Sequence, residues 1–315
     1  GNPRLMFALC VALAGPLLMR VGAASFAVHW TGDSSIGKSA ALAAAGSVWG
    51  DPQRIVRSWR STDNSLEYVA AQHCDGLLIL DELKEVDPKQ AGAIAYMLGN
   101  EKGKNRAHHA GGLREAITWR ITMQSSGEIG LADHMASAGQ KSHAGQSVRF
   151  IELPADAGGD HGMWNNIGVL PGGREFTDDL KKASRLYYGT AGRAFIAAII
   201  ENKDGLYRLA QQFEDELFRG HVPASAGGQV RRVARSFALA ATAGELAIDW
   251  GIAPWKEGEA LRAAGHMLRA WLRGRPTEGN LEDAQILAHV IDVMQRNWQA
   301  RFNDFDAADR ITREG

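Results

Sequence analysis

The sequence predicts an α/β fold: a five-stranded, mainly parallel sheet sandwiched between helices and followed by an all-helical lobe. Three observations carry this. Up to about residue 155, short β-type runs alternate with helical segments, the pattern of strand–helix–strand crossovers that build parallel sheets. From Thr177 onward the β signal stops and apolar residues recur at helical spacing, as in Val230, Val233, Phe237, Leu239 and Leu246. Between the two, residues 154–176 carry Pro154, Pro171 and six glycines, the composition of an irregular loop. The expected organisation is a core over 1–155, a linker over 156–176 and a helical lid lobe over 177–315.

Each element has its own warrant. The most apolar stretch, Met6 to Met19, is 14 residues long and broken by Gly15-Pro16. That is short for a bilayer span, so a buried core helix is expected. A signal-peptide core would need more basic residues than Arg4, and a chain opening at Gly1 reads as an excised piece. The β-type runs are Ser25 to Trp30, Ile55 to Arg60, Gly76 to Asp81, Thr118 to Ser125 and Val148 to Leu153. Helical stretches lie between them: alanine-rich Ser39 to Val48, Ser65 to His73 with Leu66, Val69 and Ala70 on one face, and Pro88 to Leu98. Asp87-Pro88 supplies an N-cap and first-turn proline for the last of these.

Composition excludes several classes. Apolar residues make up 45% and charged residues 23%, which rules out a disordered chain. Lys plus Arg number 35 against 36 for Asp plus Glu, so no global field draws in nucleic acid or an anionic membrane, and any polyanion contact must be local. Cys10 and Cys74 alone make neither a disulfide framework nor a thiolate zinc site, and they suit a reducing, cytoplasmic setting with no membrane partner.

The first chemical motif is Gly32-Asp33-Ser34-Ser35-Ile36-Gly37-Lys38-Ser39, which fits G-x-x-x-x-G-K-[ST] between a strand and a helix. Its glycines let backbone N–H groups curl around phosphate oxygens at a helix N-terminus. Lys38 is placed to reach the β- and γ-phosphates of ATP, and the Ser39 hydroxyl to ligate Mg²⁺. The second is Leu77-Leu78-Ile79-Leu80-Asp81-Glu82, a buried strand ending in two carboxylates 42 residues after Ser39. Asp81 would hold Mg²⁺ through its water shell. Glu82 would orient and deprotonate the attacking water, which favours hydrolysis over small-molecule kinase chemistry.

Further candidates follow from position. The fourth strand ends in Gln124-Ser125-Ser126-Gly127-Glu128, so either Ser125 or Ser126 could bring a hydroxyl to the γ-phosphate. Arg149 opens the fifth strand, where an arginine can serve a neighbouring subunit's site in trans. Residues 102–114 hold Lys102, Lys104, Arg106, His108, His109 and Arg114 with no acid, punctuated by glycines as a hairpin would be. Lys104, Arg106 and His108 are the candidate contacts to a single-stranded DNA backbone. In the helical lobe, Arg231, with Arg232 as competitor, could reach the nucleotide phosphates. The four tryptophans Trp250, Trp255, Trp271 and Trp298 read as packing residues.

With these motifs in order, the chain resembles AAA+ P-loop ATPases of the branch that includes the minichromosome-maintenance helicases. Gly103-Lys104-Asn105-Arg106-Ala107 is similar to their pore hairpin, Arg149-Phe150 to their arginine-finger strand and Val230-Arg231 to their sensor 2 pair. Asn2-Pro3-Arg4-Leu5, the P-loop, Ser47-Val48-Trp49-Gly50, Leu80-Asp81-Glu82-Leu83, Ser125-Ser126-Gly127-Glu128 and Tyr188-Gly189-Thr190-Ala191-Gly192 resemble a mobile-element and phage family catalogued as "domain of unknown function 927". That resemblance implies an ATP- and Mg²⁺-dependent DNA motor, a replicative helicase working as a homo-oligomeric ring, by resemblance a hexamer. The short spacing between Ser39 and Asp81 leaves little room for the helix-2 insertion of the minichromosome-maintenance proteins. The alternative is a nucleotide-driven switch or protein-remodelling ATPase that does not unwind DNA.

Overall fold

The computed structural model describes residues 1–104, 106–107, 113–141, 144–275, 279 and 290–296. Its centre is a five-stranded sheet of β1 (Phe26–Thr31), β2 (Val56–Ser58), β3 (Gly76–Asp81), β6 (Ile121–Gly127) and β7 (Phe150–Pro154), in the order β2-β3-β6-β1-β7. All neighbours are parallel. In a separate two-stranded sheet, β4 (Arg106–Ala107) pairs antiparallel with β5 (Leu113–Arg114). The α/β fold with a helical C-terminal region is therefore the one the sequence predicts. The second strand is shorter than expected, because Asp51 caps a helical turn over Pro52–Ile55 that takes up its first residue.

Alternation along the strands sorts the side chains onto two faces. Phe26, Val28, Trp30, Leu77, Ile79, Ile151 and Leu153 join one cluster, which packs against α1 (Pro3–Ala14) and α2 (Lys38–Ser47). Leu78, Leu80, Ile121, Met123 and Phe150 point the other way, toward α3 (Asp63–Gln72), α4 (Pro88–Gly99) and α5 (Leu131–Ala136). With both faces covered, the strands read as continuous apolar runs.

After β7 the chain runs through turns to α6 (Gly173–Leu186), α7 (Thr190–Glu201), α8 (Leu206–His221), α9 (Gly228–Asp249) and α10 (Glu259–Arg273). The segment Pro3–Val21 is long and apolar enough, by length and composition, to cross a membrane. It continues past Pro16 through a 3₁₀ turn, Gly15–Leu17, into a last helical turn at Leu18–Val21. In the fold it is an interior element: Phe7, Cys10, Val11, Leu17 and Leu18 are fully buried. Phe7 stacks on Phe237 of α9 at 4.8 Å between centroids and meets Trp30 of β1 edge-on at 6.5 Å. Each such buried ring contributes roughly 1.5–3 kcal/mol through lost water contact, so α1 fastens the sheet to the helical region.

Candidate nucleotide site

The site begins where β1 ends, at the carboxyl edge of the sheet. Here β1 lies between β6 and β7, and the chain must turn sharply from Thr31 into α2. Gly37 makes that turn possible. It has φ +109°, and a Cβ on it would stand 2.6 Å from the Trp164 ring, a contact that leaves only glycine. Ser35 also adopts a left-handed backbone, φ +64°. The loop closes on itself through Lys38, whose Nζ donates to the carbonyls of Gly32 and Asp33 at 2.6 Å each. Burial pulls the Lys38 ammonium below its ordinary pKa, and Glu82, Glu128, Asp81 and Asp33 oppose that shift.

The carboxylates come from the strand two places away. β3 and β6 pair so that Leu80 stands opposite Ser125, which brings Asp81 opposite Ser126. Ser126 Oγ donates to Asp81 Oδ1 and also lies 3.4 Å from the Glu82 amide, which donates to it. Glu82 has φ +61°, and its Oε1 is buried with no hydrogen-bond partner among the described residues. A strained backbone and a desolvated, unsatisfied carboxylate oxygen are costly features that persist where chemistry uses them.

Adjacent serines therefore point to opposite faces. Ser126 lines a cavity of about 640 Å³ together with Ser34, Ser35, Ile36, Gly37, Lys38, Ser39, Glu82 and Glu128. Ser125 is fully buried on the far side of the sheet. There its Oγ accepts from Trp59 Nε1 at 2.8 Å and meets His29 Nδ1 at 3.0 Å, while His29 Nε2 meets the Ile129 carbonyl at 3.1 Å. One proton arrangement satisfies all three groups: Nε2–H donates to Ile129, and the Ser125 hydroxyl donates to Nδ1. Burial agrees, lowering the His29 pKa to about 4 and keeping the ring neutral.

The far wall of the cavity was not read from the sequence. The loop after β7 folds back over the P-loop, and Met163 N donates to the Ile36 carbonyl at 2.9 Å. Trp164 lies against Gly37, packs on Phe176 at 5.1 Å and donates through Nε1 to Thr177 Oγ1 at 2.9 Å. From this loop and α6 come Asp160, His161, Gly162, Arg174, Thr177, Asp178 and Lys181, all lining the same cavity. The N-terminus anchors the loop: Arg4 donates to the carbonyls of Pro154 at 3.0 Å and Asp156 at 2.6 Å. Asn2 Oδ1 accepts from the amides of Asn165 and Asn166 at 2.8 Å. The Asn2-Pro3-Arg4 motif thus braces the backbone that braces the P-loop.

The remaining candidates lie elsewhere. Arg149 precedes β7 at the amino edge of the sheet, its carbonyl accepting from Ala27 N. The strand rise of about 3.3 Å per residue puts it on the order of 15 Å from the P-loop end of β1. Its guanidinium sits over the Tyr96 ring at 5.8 Å, donates to the Gly145 carbonyl at 3.0 Å, and borders a second cavity of about 630 Å³ with Glu214, Arg232 and Arg235. Arg231 donates to the carbonyls of Ala226 at 3.1 Å and Ala224 at 3.5 Å and does not line the P-loop cavity. Lys104 is exposed near the base of the β4–β5 hairpin, its amide donating to Glu67 Oε1 at 3.1 Å. The backbone of Arg106 pairs with that of Arg114, and His108 lies outside the described residues.

The donor set fits a nucleoside triphosphate with Mg²⁺. The loop backbone and Lys38 suit phosphate oxygens, Ser39 and the Asp81–Ser126 pair suit a hydrated metal, and the unpartnered Glu82 oxygen suits a water. The family described as "Domain of unknown function (DUF927)" matches residues 1–118. A solved structure titled "SCCmec type IV Cch - active helicase" is similar with a TM-score of 0.58 at 19% identity, over 94% of this chain and 47% of that one. This likeness is one of fold, and the chain spans about half of that helicase. No curated protein matches.

Proposed function

We propose that this chain is the motor region of a Mg²⁺-dependent ATPase that moves on DNA, a helicase-type enzyme of a mobile element or phage. The observation that carries the reading is one cavity bounded by Lys38 and Ser39 on one side and by Glu82 and the Asp81–Ser126 pair on the other. In it Gly32 to Ser39 cradle the phosphates, and Ser39 and Asp81 hold Mg²⁺, which neutralises charge on the transferring phosphoryl group. Glu82 takes the proton of the attacking water, and Ser126, rather than Ser125, orients the γ-phosphate side. Residues 1–155 act as the AAA+-type core and 177–315 as the lid.

The ring reading rests on a trans role for Arg149. At the opposite edge of the sheet from Lys38 it has no route to its own nucleotide, so a role in catalysis requires a neighbour's site and a head-to-tail interface. By resemblance the ring is six-fold. The basic hairpin with Lys104, Arg106 and His108 would contact single-stranded DNA in the channel. The setting is cytoplasmic. The second reading, a protein-remodelling ATPase, has in its favour the exposed Leu186, Tyr187, Tyr188, Ile200 and Tyr207 of the helical region.

Turnover of ATP with and without single-stranded DNA separates the two, with Lys38→Ala as blank. The motor reading expects stimulation by DNA that is lost in the Lys104→Ala, Arg106→Ala double variant. Turnover indifferent to DNA supports remodelling instead. In mixtures, Arg149→Ala subunits should poison wild-type activity.

A further inference from the structure

Helix α6 presents Arg174, Thr177, Asp178 and Lys181 to the P-loop cavity. Their spacing, i, i+3, i+4 and i+7, puts them on one helical face about two turns long. Among the described residues neither the Arg174 guanidinium nor the Lys181 ammonium has a hydrogen-bond or ion-pair partner, although Asp178 lies one turn from Arg174 and shares that face. Two long cations bordering the same cavity as Lys38 give its α6 side a positive charge that suits an anionic ligand.

The helix is not loosely placed. Thr177 Oγ1 donates to the Gly173 carbonyl at 2.7 Å and accepts from Trp164, and Trp164 lies against Gly37 of the P-loop. The same loop therefore fixes both the phosphate cradle and the face bearing the two cations. Arg231 has its guanidinium occupied at the start of its own helix and stays away from this cavity. Among the described residues that line the cavity, the Arg and Lys side chains other than Lys38 come from α6.

We infer that Arg174 and Lys181 are binding residues for the polyphosphate of the bound nucleotide, acting in cis from the first helix after the sheet. This rests on the nucleotide reading above. Asp178, between them, opposes the same anion and limits its affinity.

The test is calorimetric titration of the full chain with Mg-ATP and with Mg-tripolyphosphate, which has no base. Arg174→Ala and Lys181→Ala should each weaken both ligands about tenfold or more, the range of a charge-assisted hydrogen bond. Arg174→Lys should recover part of the loss, and Asp178→Asn should tighten both ligands several-fold. The losses should shrink as salt rises. These are accessible positions on a helix, and an unchanged melting temperature shows that the fold is retained. Wild-type binding lost in Lys38→Ala but unchanged in Arg174→Ala and Lys181→Ala overturns this inference and leaves the nucleotide reading intact. So does weakening confined to Mg-ATP, which would mean contact with the ribose or base. No binding by the wild type overturns both.

Discussion

Neighbouring serines at the end of β6 should fail in opposite ways when each is replaced by alanine. Ser125→Ala removes the acceptor of the Trp59 indole N–H and the partner of His29 Nδ1, both in a fully buried setting. Each orphaned buried group costs roughly 1–3 kcal/mol, so the variant should lose about 2–5 kcal/mol, a large part of the 5–15 kcal/mol by which such a fold is stable. At about 2–4 °C per kcal/mol for a chain of this size, its melting temperature should fall by roughly 4–20 °C. Turnover per folded molecule should change little, because Ser125, Trp59 and His29 do not line the cavity. Ser126→Ala gives up two partly buried hydrogen bonds, its own to Asp81 and the long one it accepts from the Glu82 amide, so its melting point should fall by only a few degrees while ATP turnover falls at least tenfold. Thermal melts and phosphate-release assays on the two proteins decide it. A Ser125→Ala protein that melts normally but has lost turnover, or a Ser126→Ala protein of full activity, would refute the assignment.

Two further outcomes follow. Gly162→Ala puts a Cβ 2.6 Å from the Ile36 carbonyl oxygen at a residue with φ +61°, adding left-handed strain of about 1–2 kcal/mol to a backbone clash. The P-loop must shift, so Mg-ATP affinity should drop at least tenfold in titration, and unchanged affinity would mean that the loop does not brace the cradle. His29 has its folded pKa depressed from 6.5 to about 4. Its contribution to stability is complete above pH 6.5 and is lost as pH falls toward 4, where the unfolded chain binds the proton first, on the order of 3 kcal/mol in all. Unfolding midpoints in urea from pH 7 to 4 should fall less steeply for His29→Gln than for wild type, and parallel profiles would count against a buried neutral imidazole.

Much of the fold was legible because its signals are local. Gly32 to Ser39 and the run ending in Asp81-Glu82 are contiguous, and the apolar strands and capped helices announce themselves within ten residues. The choice between Ser125 and Ser126 was open from the sequence, yet strand parity carries it. Ile121, Met123 and Ser125 share one face, and Thr122, Gln124 and Ser126 share the face of Leu77, Ile79 and Asp81. What was missing was the register between β3 and β6, which no local pattern contains. The wall built by Trp164, Arg174, Thr177 and Lys181 was invisible for the same reason. A glycine-rich loop and an amphipathic helix look alike in sequence whether they face solvent or fold over a P-loop 130 residues earlier in the chain. The Asn2-Pro3-Arg4 motif was visible as a pattern, but its hydrogen bonds reach residues 154–166.

Glu82 carries the proposed hydrolysis, and Mg-ATP binding measured beside phosphate release in the same preparations tests it most directly. Wild type should bind and hydrolyse, Lys38→Ala should do neither, and Glu82→Gln should bind with near wild-type affinity while hydrolysis falls by a factor on the order of 10²–10⁴. Hydrolysis that persists in Glu82→Gln, or binding that survives Lys38→Ala unchanged, would contradict it.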